Sequence, residues 1–355
     1  MSRHLPADVA AFVRSPDPER FEALALDAFA WQHERIEPYR RLCAARGVAP
    51  GSAAGWREVP MVPAAAFRTT VLAAEPAVET FRSSGTSSDE GGDGEGSIHH
   101  HPYPDLYRLT IEQSFPRYCL AGLDRPPVLA LVPDREQAPD SSLSFMVDHV
   151  VARWGDPAAS AWAFGRRGVD VKTARSWAGA RQRDRRPSLI LTTAFALAQW
   201  LEALDRQGLR FRLPPGSAAM VTGGFKGRTR EVPRAELLGR LADLLAIAPG
   251  RVAGEYGMTE LTSQLYDRAL LGGDPEVYEP PPWVRVRVLD PVSLEETPAG
   301  EPGLIAVLDL ANLGSAVHLL TEDLGAAEGA GVRLLGRAAG AALRGCSLVA
   351  EELAG

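Results

Sequence analysis

The chain has 355 residues, 45% of them hydrophobic and 23% charged, with a net charge of −7. This excludes a disordered chain, and the acidic balance argues against a nucleic-acid binder, whose footprint is basic. No apolar run approaches the roughly 20 residues of a membrane-spanning helix, the N-terminus lacks a leader pattern, and three scattered cysteines (Cys43, Cys119, Cys346) fit neither a disulfide framework nor a cysteine zinc site, so a reducing cytoplasm is the expected location.

At roughly 150 residues per domain, the length allows two domains or one large α/β domain. From Asp17 to Ala45 the spacing predicts helix, with Phe21, Leu24, Leu26 and Phe29 near helical period. Pro38 should break it in two. Residues 47–63 read as loop. Apolar runs at 127–133, 188–192 and 217–222 read as buried strands, and residues 195–204 as a helix. This rhythm predicts an α/β fold with a largely parallel sheet covered by helices. After Tyr278 the character changes. Trp283 to Val288 alternates strictly, the mark of a half-exposed strand, and short strands follow at 303–308, 317–320 and 332–335. The expected division is a helical start over 1–80, an α/β core over 81–277, a β-rich subdomain over 278–336 and a short tail over 337–355.

Two loops carry candidate chemistry. Ser83-Ser84-Gly85-Thr86-Ser87-Ser88 packs hydroxyls and backbone N–H groups tightly enough to wrap a polyphosphate. A solvated surface loop is the alternative. No Gly-Lys-Ser/Thr follows as in a Walker A loop, and no Gly-x-Ser-x-Gly marks a nucleophile elbow. Asp89, Glu90, Asp93 and Glu95 make the following glycine run an acidic excursion that would repel phosphate. His99-His100-His101 lacks a partner at metal-ligand spacing and is expected to form a hydrated loop.

The run Glu255-Tyr256-Gly257-Met258-Thr259-Glu260 is more specific. It resembles the Tyr-Gly-x-Thr-Glu core motif of the adenylate-forming superfamily of acyl-CoA synthetases, aryl-acid ligases and luciferases. Ser83 to Ser87 resembles that superfamily's phosphate loop, Gly223-Gly224 its adenine-lining glycines, Thr321-Glu322-Asp323 its Thr-Gly-Asp ribose motif, and Gly336-Arg337 the pair before its hinge. Within the superfamily, the runs from Glu255 to Asp267, Thr222 to Gly227, Pro281 to Val288 and Gly336 to Leu348 are similar to the acyl-protein synthetases of the bacterial bioluminescence fatty-acid reductase complex.

The resemblance implies the large domain of adenylate-forming enzymes, with the mobile C-terminal domain reduced to a short tail. It implies ATP and Mg²⁺ as cofactors. Ser83, Ser84, Gly85, Thr86 and Ser87 would hold the β- and γ-phosphates, and Thr259 the α-phosphate. Tyr256 would pack on adenine beside Gly223 and Gly224, with Gly257 and Met258 completing the nucleotide stretch. Glu260 would bind Mg²⁺, Asp323 the ribose hydroxyls, and Arg337 the ribose or phosphate. Phe195, Ala196 and Gly254 lie where the superfamily builds its acyl pocket, with small residues leaving room for a long chain. The superfamily's C-terminal lysine has no counterpart: the only lysines are Lys172 and Lys226. Cys346, in an Arg-Gly-Cys-Ser-Leu context, matches the cysteine that carries the acyl group as a thioester. If residues 343–348 are extended, Arg344 lies on its side and favours the thiolate. Cys43 and Cys119 are expected to be structural.

The implied activity is ATP-dependent conversion of a carboxylic acid, by implication a long-chain fatty acid, to acyl-AMP, followed by acyl transfer to a protein thiol. A reductase or acyl-carrier protein is the implied partner. Two other readings stay open: an acyl- or aryl-CoA ligase of the phenylacetate type, and a degenerate nucleotide-binding regulatory subunit.

Overall fold

A computed structural model describes residues 4–83, 96–223 and 232–338. The chain forms two compact units, one comprising Met1–Gln113, Met258–Leu265 and Val277–Gly355, the other Ser114–Gly257 and Tyr266–Glu276.

In the first unit, helices span Leu5–Arg14, Phe21–Arg35 and Glu37–Ala45. The expected break near Pro38 occurs at Ile36, whose backbone is extended. Pro38 has no N–H to offer the carbonyl of Glu34, so one helix cannot run through it. The Arg40 guanidinium donates to that carbonyl instead, at 3.3 Å. Phe21, Leu24, Ala25, Ala28 and Phe29 line the buried face of the second helix. Gln32 is fully buried among them. Its amide donates to the Asn312 and Leu313 carbonyls at 3.1 and 2.9 Å and accepts from the Val317 N–H at 3.1 Å.

The β-rich part is an antiparallel sheet. Its strands lie in the order Val277–Tyr278, Gly331–Arg337, His318–Glu328, Pro302–Asp309 and Val284–Leu289. Val62–Pro63 adds in parallel against Leu319 and Leu320. The polar positions of the alternating strand are more enclosed than alternation implies. The Arg285 guanidinium lies 3.8 Å over the Phe21 ring, and Arg287 pairs with Glu296 at 2.7 Å.

A two-stranded hairpin, Glu79–Arg82 with Ile98–His101, completes this unit. Here the expected hydrated histidine loop is corrected: residues 99–101 are strand. Pairing with Glu79–Arg82 satisfies their backbone, and the two-residue period puts His99 and His101 on one buried face. His99 meets the edge of Phe67, and His101 that of Phe81.

The second unit is the predicted α/β layer. Parallel strands Val252–Tyr256, Ala218–Thr222, Leu189–Thr193, Val128–Leu131 and Ala161–Trp162 lie side by side in that order. Helices Ser142–Trp154, Val171–Asp184, Ala194–Arg206 and Arg234–Leu245 belong to it. The central strands are buried along their length, as their unbroken apolar runs require. Leu197, Trp200, Leu201 and Leu204 of one helix and Leu237, Leu241 and Leu244 of another share a core cluster with Ile190 and Ala219. Thr193 ends its strand and caps the next helix, its hydroxyl accepting from the Ala196 N–H at 3.1 Å.

Candidate active site

The Tyr-Gly-x-Thr-Glu segment spans the boundary between the units, which falls between Gly257 and Met258. In the α/β unit, the parallel register sets Glu255 opposite Thr222. Tyr256 and Gly223 thus both lie at the C-terminal ends of neighbouring parallel strands, where open α/β sheets place ligands. Gly223 adopts a φ of 64°, in the left-handed region where glycine turns freely.

The Thr222 hydroxyl donates to the Glu255 carboxylate. A Cβ on residue 257 would meet that carboxylate, so the two lie close together. Burial pushes the Glu255 carboxyl up to about 7, against the pull of the Thr222 hydrogen bond. Asp267 is buried nearby in sequence and accepts from the Gly254 N–H at 2.7 Å, the Ala269 N–H at 3.0 Å and Arg234 at 2.9 Å. Burial still raises its carboxyl to about 6.

Between pH 4.5 and about 7, folded Glu255 holds a proton that the unfolded chain has released. Its contribution to stability is therefore full below pH 4.5 and is lost as pH rises through 7. Glu255→Gln, which keeps an acceptor for Thr222, should stabilise the protein at pH 8 by on the order of 1–3 kcal/mol and leave it nearly unchanged at pH 4.5. Urea unfolding at both pH values checks this; equal effects at the two would contradict it.

In the first unit, a buried polar network fixes Thr259 to Ser263. The Asn312 amide donates to the Glu260 carbonyl at 2.9 Å and the Ala316 carbonyl at 2.7 Å. The Thr262 hydroxyl donates to Asn312 Oδ1 at 2.8 Å, and Thr110 donates to the Thr262 carbonyl at 2.8 Å. Asp309 accepts from Ser263 Oγ, the Ala311 N–H and the Thr262 N–H at 2.8, 3.0 and 3.2 Å. Its carboxyl is raised by burial to about 6. Ser263 in turn accepts from the Trp283 indole at 2.9 Å. Glu260 is buried, at 6% exposure, whereas Met258 and Thr259 are half-exposed.

His99 and His101 join this network. His99 Nδ1–H donates to the Thr259 carbonyl at 2.8 Å. The Thr262 hydroxyl spends its proton on Asn312, so it accepts from His101 Nε2–H at 3.0 Å. Burial lowers His99 to about 4 and His101 well below the usual range, so both rings are neutral at pH 7.

Ser83 sits at the open end of the hairpin. Its N–H donates to the Ser97 carbonyl at 2.9 Å, and its Oγ accepts from the Ser97 N–H at 2.8 Å. The ribose and hinge motifs also meet. Asp323 and Arg337 pair across neighbouring strands, with Nε 3.4 Å from Oδ1. Glu322, where the superfamily motif has glycine, accepts from Arg68 at 2.9 Å.

The structure thus joins the Ser83 hairpin to Thr259, Asp323 to Arg337, and the Gly223 strand to the Tyr256 strand. Ser84, Gly85, Thr86, Ser87, Gly224 and Cys346 lie outside the described residues. Of the acyl-pocket candidates, Phe195 is half-exposed, Ala196 is buried in the core cluster, and Gly254 is buried within its strand. Cys43 and Cys119 are buried, and burial raises both thiols. Among the described residues, no three His, Cys, Asp or Glu converge on a metal-sized position. A Mg²⁺ shared with nucleotide phosphates needs only one or two carboxylates, and Glu260 suits that donor set. Sequence reasoning missed Glu255, Asp309, Asn312 and the paired histidines. Only the histidines carried a local signal, their two-residue spacing.

The acyl-protein synthetase family, LuxE, matches residues 174–354, just over half of the chain. The protein belongs to the LuxE acyl-protein synthetase family. Solved CoA-ligase structures superpose on it at TM-scores of 0.50 and above. An open conformation of 2-hydroxyisobutyryl-CoA ligase in complex with 2-HIB-AMP and CoA superposes with a TM-score of 0.63 at 12% identity, over 91% of this chain and 73% of that one. A long-chain-fatty-acid-CoA ligase (FadD1) from Archaeoglobus fulgidus gives 0.50 at 14% identity, over 72% and 50%. ATP-bound MatB from Rhodopseudomonas palustris gives 0.48 at 17%, and this chain spans 47% of its length. No curated protein matches the sequence. Among the described residues, no helix is long and apolar enough to cross a membrane.

Proposed function

We propose that the protein uses ATP to activate a fatty acid and passes the acyl group to a protein thiol, with Cys346 as the acceptor on this chain. The observation that carries the ATP reading is the hydrogen-bonded union, within one unit, of the hairpin ending at Ser83 with Thr259-Glu260. A carboxylate oxygen attacks the α-phosphorus, the bond to pyrophosphate breaks, and acyl-AMP forms. A thiolate then attacks the acyl carbon and AMP leaves. The protein's share is to hold two anions together and offset their charge. Glu260 would hold Mg²⁺, which supplies charge neutralisation at the phosphates. Ser83 would donate its hydroxyl to a phosphate oxygen, and Asp323 would accept from ribose hydroxyls. The expected setting is cytoplasmic, with a reductase or carrier protein receiving the acyl group.

Incubation with labelled fatty acid, ATP and Mg²⁺ tests the acceptor. The protein should acquire a hydroxylamine-labile label, and Cys346→Ser should remove it while acid-dependent pyrophosphate–ATP exchange persists. Label that survives the substitution eliminates Cys346. Consumption of CoA without protein labelling would instead indicate a CoA ligase.

A further inference from the structure

We infer that His99 is a positioning residue for adenylation: it locks the strand returning from the serine-rich loop to the Thr259 carbonyl and so sets the phosphate-binding hairpin against the Thr259-Glu260 segment. This rests on the functional reading above and adds a residue to it.

The geometry carries the assignment. The hairpin strands Glu79–Arg82 and Ile98–His101 flank the serine-rich segment, and their pairing continues through Ser83 and Ser97. A Cβ on residue 96 would collide with the Ser83 carbonyl oxygen, so the two chains stay close where they leave the strands. Any shift of Ile98–His101 is therefore passed to Ser83. From this strand, His99 reaches the Thr259 carbonyl at 2.8 Å, and His101 reaches Thr262 at 3.0 Å. The other side of the segment is held by Asn312, which binds the Glu260 carbonyl. Thr259 and Glu260 are thus clamped between two backbone contacts, one belonging to the hairpin.

The His99 ring is itself constrained. It is 1% exposed, set edge-on to Phe67 with centroids 5.6 Å apart, and 4.9 Å from the His101 ring. A carbonyl can only accept, so His99 must carry its proton on Nδ1. A histidine that merely filled space would show no such requirement.

The functional test uses steady-state pyrophosphate–ATP exchange on the whole protein. His99→Phe removes the donor and keeps a ring. Loss of one hydrogen bond that aligns reacting groups should raise KM for pyrophosphate and lower kcat/KM for it by about tenfold, while KM for the acid stays within about twofold. His99→Asn sets an amide donor near the Nδ1 position and should recover most of the loss. A residue that only supports folding would reduce the active fraction and leave both KM values unchanged, which overturns the inference. So does a His99→Asn variant as impaired as His99→Phe. ¹⁵N imidazole spectra of the unmodified protein give a readout independent of turnover, and of whether either variant folds. They should show Nδ1 protonated and Nε2 bare at pH 7; the opposite tautomer overturns the contact itself. If the unmodified protein shows no exchange with any acid, the functional reading fails, and this inference with it.

Discussion

Glu260→Ala should abolish acid-dependent pyrophosphate–ATP exchange, with a loss of at least about 10²-fold, the scale of removing one preorganised charge-stabilising group. The Glu260 backbone is held by groups other than its own carboxylate. Its carbonyl is held by Asn312 at 2.9 Å, and the next turns are held through Thr262 and Ser263 to Asp309. The substitution therefore removes a proposed oxygen ligand for the metal and leaves its support in place. Glu260→Gln keeps the shape and loses the charge, so it should fail nearly as badly. Calorimetry should show both variants binding Mg²⁺–ATP more weakly. If both retain exchange within tenfold of the parent, the metal role assigned to Glu260 is wrong.

The second large effect is on stability. Asp309→Ala should destabilise the protein by about 3 kcal/mol or more, because three buried donors lose their acceptor and each unsatisfied group costs roughly 1–3 kcal/mol. Those donors are Ser263 Oγ and the N–H groups of Thr262 and Ala311. The melting temperature should fall by roughly 5–10 °C. Asp309→Asn retains one acceptor oxygen and should cost clearly less. Since burial raises Asp309 from 3.8 to about 6, the unfolded chain releases this proton first, so the stability it contributes is full below 3.8 and is lost as pH rises through 6. The gap between parent and Asp309→Ala should consequently be widest in acid and narrow toward pH 8. Denaturation curves at pH 5 and 8 measure this; a gap that widens with pH would refute it.

The layer around Leu189–Thr193 and Ala218–Thr222 was legible because strands buried on both faces must be apolar throughout, and loop residues bound them. The helix break at Ile36 followed from the missing N–H of Pro38. Less was legible where a residue's fate depends on partners far along the chain. Gln32 looks like a solvent-facing helix residue until Asn312, Leu313 and Val317 surround it. Asp309 ends a strand and would pass for a surface carboxylate without Thr262 and Ser263. The histidines misled because three polar residues in a row suggest water, whereas alternation sends two of them inward against Phe67 and Phe81. At the site, the Tyr-Gly-x-Thr-Glu residues could be named from sequence, but not what holds them. The carbonyls of Thr259 and Glu260 are gripped by His99 and Asn312, and backbone atoms leave no trace in side-chain identity.

Gln32 also bears on how the molecule is made. Its hydrogen-bond partner Asn312 follows it by 280 residues. At about 5–20 residues per second, a ribosome takes roughly 15–60 s to add that stretch. Throughout that interval the second helix has its polar amide and its apolar stripe waiting, while the intervening parallel strands can already assemble. Chaperones that recognise nascent apolar helices can therefore engage this helix throughout that interval.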